Sequence, residues 1–108
     1  MKVISLLGST GSIGVSTLDV VRRNPDYFTV ASMAAGNNIE LFAQQVKEFK
    51  PFLISVFNPS KVEELKELLQ GEDVEILSGE EGSVKVATHP EVSLVVSAIV
   101  GSAGLVPS

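Results

Sequence analysis

The chain has 108 residues, 44% of them apolar and 19% charged, with a net charge of −5. That suffices for one domain with its own core, but the balance is wrong for a nucleic-acid surface, which needs clustered Lys and Arg where this chain scatters eight. With no cysteine, disulfides and thiolate metal sites are excluded; no run approaches the ~18 apolar residues of a membrane span, and none at the start is long enough for a secretory signal.

The first element is an apolar strand over about 2–7, and it runs directly into Gly8-Ser9-Thr10-Gly11-Ser12-Ile13-Gly14. A helical stretch follows from Val15 through Val21. Strand, glycine-rich turn and helix together form the local geometry that holds a phosphate. Glycine permits a tight turn and close approach of an anion, and the first helical N–H groups supply donors. The spacing is G-x-x-G-x-x-G, with Ser9 where the standard dinucleotide fingerprint would carry its first glycine. Gly8 is expected to turn the chain off the strand, Gly11 to let N–H groups face a pyrophosphate, and Gly14 to let the helix pack closely. Thr10 and Ser12 add hydroxyls. No Lys follows Gly14, so this is not a Walker loop.

A second strand is predicted over 28–35, ending at Ala34-Ala35-Gly36-Asn37-Asn38. An Asp or Glu at this place would bind the ribose 2′-hydroxyl of NAD. The chain has no acidic residue between Tyr27 and Ile39, so a 2′-phosphate would meet amides and a helix N-terminus instead, which favours NADP(H). The usual Lys or Arg clamp is missing locally. Asn38 is placed to cap a helix on which Ile39, Phe42, Ala43, Val46 and Phe49 recur at helical spacing.

Further strands are expected at 52–57, 74–77 and 92–97, with Leu94-Val95-Val96 reading as a buried inner run. Val62, Leu65 and Leu69 mark a third helix. Ser60 with Glu63, and Ser78 with Glu81, have capping-box spacing, and Gly71 stands where a C′ residue would end the third helix. Strands alternating with helices predict an α/β fold: a Rossmann-like, doubly wound, mainly parallel sheet of about five strands with helices on both faces.

The stretch Ala98–Gly104 after the last strand is made of small residues that would leave room for a ligand or for close helix packing. From there to Ser108 the chain stays apolar and glycine-rich, which reads as a cut through a larger protein. His89, the single histidine, precedes Pro90 in an expected surface turn and has no second histidine or cysteine for a metal or triad. Glu63, Glu64 and Glu67 read as a solvated helical face. No catalytic or metal-ligating constellation is present in these residues.

With those segments read, the chain resembles the amino-terminal part of the 1-deoxy-D-xylulose 5-phosphate reductoisomerase family. The matching stretches are Gly8–Gly14 followed by Ser16-Thr17-Leu18-Asp19-Val20, then Ala35–Asn38, Leu77-Ser78-Gly79 and Ser97–Leu105, in the family's order over essentially the whole chain. The resemblance implies an enzyme of the non-mevalonate isoprenoid route. It would rearrange a sugar phosphate and reduce the product with NADPH, giving 2-C-methyl-D-erythritol 4-phosphate, with Mg or Mn in the intact protein. It implies that Thr10, Gly11, Ser12 and Ile13 touch the pyrophosphate side of NADPH, and that Gly36, Asn37 and Asn38 hold the 2′-phosphate end. Asn37 departs from the Lys or Arg often found there. Residues 1–108 would then be the NADPH-binding, truncated Rossmann-like domain, with the metal carboxylates, the substrate residues and the lid lying past Ser108. The intact family is expected to be homodimeric, with a small sugar phosphate as partner and neither nucleic acid nor membrane, in a bacterial cytoplasm or a plastid. Ala98 and Ile99 would border the cofactor at an exposed apolar edge.

Two other readings differ in class. A stand-alone dinucleotide sensor would fold fully at this length, against which the apolar terminus argues. A short-chain dehydrogenase would need Tyr-x-x-x-Lys, but the one tyrosine, Tyr27, is followed four positions on by Ala31.

Overall fold

Five strands and four α-helices alternate along the chain in the computed structural model, which describes residues 2–36 and 38–97. In order they are β1 (Lys2–Leu7), α1 (Ser12–Arg23), β2 (Phe28–Ala35), α2 (Ile39–Phe49), β3 (Leu53–Val56), a 3-10 turn (Pro59–Lys61), α3 (Val62–Leu68), β4 (Glu75–Ser78), α4 (Gly79–Thr88) and β5 (Leu94–Ser97). All pairings are parallel, and the sheet order is β4-β3-β2-β1-β5. The expected fold class is present.

The order explains the layers. From β1 to β4 the chain steps in one direction across the sheet, so crossovers of fixed hand put α1, α2 and α3 on one face. After β4 it reverses and crosses back to the far side of β1, which puts α4 on the other face. The larger core forms beneath the first three helices, where Leu18, Val21, Phe42, Val46, Leu65 and Leu69 meet Ile4, Leu6, Met33, Ile54 and Val56. A smaller cluster of Ala34, Leu53 and Val86, with Leu7 and Leu77, lies beneath α4.

The α4 face is unusual in what the strands present to it. Ser5, Ser32 and Ser55 are fully buried there. The register between β1 and β2 slips after Ile4, which pairs with Val30, while Ser5 pairs with Ser32. Ala31 is thus the extra residue of a bulge, and the slip sets two serines side by side. Both donate to the Val86 carbonyl, each at 2.8 Å. The sheet therefore satisfies a carbonyl of the last turn of α4, which has no partner within its own helix. Close approach depends on Gly82: a Cβ there would stand 2.2 Å from Ser55 Oγ.

Away from the glycine turn, α1 and α2 are joined by Arg22 and Glu48. Arg22 Nη2 donates to Glu48 Oε1 at 2.8 Å and Nε to Oε2, while the guanidinium stands 5.3 Å from the Phe49 ring centroid. The hydrogen bond from Arg22 holds the Glu48 carboxyl below its usual range, and the same bond raises Arg22.

Several local expectations need correction. Ser60 does not cap α3; Asn58 caps the preceding 3-10 turn, its Oδ1 accepting from Ser60 N and Oγ. Ser78 holds the N-cap position of α4 but makes no side-chain cap bond. Neither capping box forms. Gly71 has φ +90, but α3 ends at Leu68 with Leu69 as its C-cap, so Gly71 serves the turn beyond rather than the C′ position. Leu94 and Val95 are 42% and 45% exposed, not buried, because β5 is an edge strand among the described residues. His89 is half-buried at the end of α4, edge-on to Phe52, and its Nδ1 accepts from Glu91 N.

Candidate functional site

The reversal of strand order falls at β1, between β2 and β5. In an open parallel sheet the crevice at the carboxyl ends of the strands around such a reversal is where ligands bind. The glycine turn leaves the sheet at that point. Gly8 has φ +84, a conformation that favours glycine. The Ala34 carbonyl accepts from Gly8 N at 2.8 Å and Ser9 N at 3.1 Å, so the end of β2 anchors the turn that follows β1. A Cβ on Gly14 would lie 2.2 Å from the Gly8 carbonyl oxygen, so α1 starts directly against the turn. Gly8 and Gly14 thus play the expected parts, except that Gly14 packs on the turn rather than the sheet. Gly11 has φ −79 and ψ 173, which any residue adopts, so its backbone angles do not call for glycine.

The start of α1 leaves its donors open. Its N-cap is Gly11, which has no side chain to cap with, and its first turn carries no carboxylate. Among the described residues, the N–H groups of Thr10, Ser12 and Ile13 find no backbone acceptor. Orphan donors at the positive end of a twelve-residue helix are a phosphate-binding arrangement. Ile13 is 47% exposed beside them, an apolar side chain held at the edge of the crevice.

The second turn, after β2, opens at the same edge. A side chain at Gly36 would meet nothing within 4 Å, so neighbouring atoms do not require glycine there. Asn38 caps α2 as expected, its Oδ1 accepting from Leu41 N at 3.3 Å. That leaves the two Nδ2 hydrogens for another acceptor. Thr10, Gly11, Ser12, Ile13, Gly36 and Asn38 therefore line one edge of the sheet. Asn37, Ala98, Ile99 and the Ala98–Gly104 stretch lie outside the described residues.

Two residues escaped the sequence reading. Glu40 is an exposed carboxylate in the first turn of α2, just past the window in which acids are absent. Gln45 of α2, 6% exposed, donates Nε2 to the Ser9 carbonyl at 2.8 Å. Its position could have been read, because it falls three residues after Phe42 and four before Phe49, on the buried face. Hollows elsewhere are poor candidates. One of about 330 Å³, bordered by Arg22, Pro25 and Phe28, lies at the opposite, amino-terminal end of the strands. Among the described residues no group of three or more His, Asp or Glu could hold a metal, and no helix is long and apolar enough to cross a membrane.

A family model described as 1-deoxy-D-xylulose 5-phosphate reductoisomerase matches residues 4–108. The chain belongs to that reductoisomerase family. Reductoisomerases of both bacteria and plants are similar to it. That of Trichlorobacter lovleyi is 52% identical over 108 residues, all of this chain and 28% of the relative. The chloroplastic reductoisomerase of Mentha piperita is 55% identical over 109 residues, 99% of this chain and 23% of the relative. The chain thus spans about a quarter of their length. A crystal structure of DOX-P reductoisomerase in complex with NADPH, fosmidomycin and magnesium superposes with a TM-score of 0.90 at 34% identity, covering 97% of this chain and 26% of that one. The reductoisomerase from Zymomonas mobilis in complex with NADPH gives 0.88 at 36% identity, covering 96% and 27%.

Proposed function

We propose that residues 1–108 form the NADPH-binding part of a 1-deoxy-D-xylulose 5-phosphate reductoisomerase. Thr10, Gly11, Ser12 and Ile13 take the pyrophosphate side, and Gly36, Asn37 and Asn38 take the adenosine 2′-phosphate. The observation that carries this reading is the uncapped, acid-free start of α1, whose N–H groups open on the crevice where the strand order reverses. NADPH complexes among similar structures support it.

The protein's activity is then rearrangement and reduction of 1-deoxy-D-xylulose 5-phosphate to 2-C-methyl-D-erythritol 4-phosphate in the non-mevalonate isoprenoid route. These residues contribute cofactor binding only. The groups that hold Mg or Mn and the sugar phosphate belong to the intact protein, which we take to be a homodimer of the bacterial cytoplasm or the plastid, with neither nucleic acid nor membrane as partner. Calorimetric titration of the chain with NADPH and NADH tests the reading. NADPH should bind the more tightly, and sugar-phosphate turnover should be undetectable with added Mg or Mn. Equal affinities would remove the NADP assignment; measurable turnover would show that the catalytic groups are misplaced.

A further inference from the structure

We infer that Gln45 is a positioning residue for the pyrophosphate, an inference that rests on the proposed NADPH site. One peptide plane links the two. The Ser9 carbonyl accepts from Gln45 Nε2 at 2.8 Å, and the donor side chain is nine-tenths buried. That carbonyl and the Thr10 N–H belong to the same peptide unit, which is planar and trans, no cis bond being present among the described residues. Holding the carbonyl in against α2 sends the Thr10 N–H out the other way. Thr10 N–H has no backbone acceptor among the described residues, and it immediately precedes the open start of α1. Gln45 therefore fixes the direction of a donor it never touches.

This bond is buried. Ser9 is fully buried, and its Oγ, like Gln45 Oε1, has no hydrogen-bond partner among the described residues. Gln45 also lies on the helix that Asn38 caps. One rigid element thus carries the cap at the adenosine end and the strut under the phosphate turn, fixing the spacing between the two halves of the site.

Titration of the full chain with NADPH and with adenosine 2′-monophosphate tests this, because the second ligand has the 2′-phosphate but no pyrophosphate. Gln45→Met keeps the shape and removes the donor. It should weaken NADPH about tenfold, the factor for one lost hydrogen bond to a group left buried, and leave the monophosphate within about twofold. Gln45→Asn keeps the amide but withdraws it by one methylene. It should show the same split, and it serves if the Met variant does not fold. Unchanged NADPH affinity in the variants, beside a wild-type chain that binds it, would overturn the inference and leave the cofactor site standing. Equal weakening of both ligands would reduce Gln45 to a fold-stabilising residue. A wild-type chain that binds no NADPH would overturn both.

Discussion

The position a Cβ would take on Gly14 is 2.2 Å from the carbonyl oxygen of Gly8. First and last glycines of the motif are thus in direct contact, and the turn is closed on itself by the helix it introduces. The obstacle is backbone on both sides, the Ser9 Cα and carbonyl carbon also lying at 2.7 Å. Relief requires moving α1 or the turn. Gly14→Ala should therefore cost about 3 kcal/mol, the upper range for overpacking, and abolish NADPH binding. Urea denaturation followed by titration of the folded fraction checks both.

On the opposite face, Gly82 and Ser55 form a similar contact with a different outcome. Ser55 Oγ is buried without a partner among the described residues, so Ser55→Ala removes an unsatisfied group and should be neutral or stabilising by up to about 1 kcal/mol. Gly82→Ala should destabilise by about 2 kcal/mol, since its Cβ would meet that oxygen at 2.2 Å. The double variant should recover part of the loss. A cycle of four urea curves measures the coupling, and strict additivity would contradict the contact.

These two glycines also mark what the sequence could and could not tell. Gly14 was legible because it belongs to a motif with a known physical role. Gly82 was not, since a lone glycine within a helix reads only as a weak helix former. Ser5 and Ser32 escaped for a related reason: apolar periodicity passes over serine, and their burial depends on a register slip that no local pattern announces. A parallel sheet covered by helices on both faces followed from the alternation of strands and helices, whereas the strand order did not, since no local pattern announces where the chain reverses. The exposure of β5 did not, because an apolar run reports that a strand can be covered, not that the residues at hand cover it. The capping box at Ser60 failed because a neighbour won: the Asn58 side chain reached Ser60 first.

Glu40 stands in the first turn of α2, close to the proposed 2′-phosphate end. A carboxylate adds to the repulsion on an incoming phosphate at the place where the helix dipole attracts it. Glu40→Gln should therefore raise the ratio of NADPH to NADH affinity by about threefold, the equivalent of a typical helix-terminus charge effect. Asn37→Lys should move the ratio the same way. An unchanged ratio in both variants would place the 2′-phosphate elsewhere.

Stability should depend on pH through Glu48. Its carboxyl is held low in the folded chain by the hydrogen bond from Arg22. A depressed carboxylate contributes stability that is fully present above its unfolded pKa of about 4.3 and is lost as pH falls through the folded value. Both partners are roughly half exposed, so the contribution is small and screened by salt. Wild type and Glu48→Gln should differ in urea midpoint at pH 7 and converge as the pH is lowered past the carboxylate range. A constant gap would contradict the assignment.

The most direct test of the proposed anion site at the start of α1 is amide chemical-shift mapping of the isotope-labelled chain during NADPH addition. The largest shifts should fall on the Thr10, Gly11, Ser12 and Ile13 N–H resonances, with a second group at Gly36 and Asn38. Saturable shifts confined to other parts of the sheet, with the glycine turn unmoved, would contradict the account.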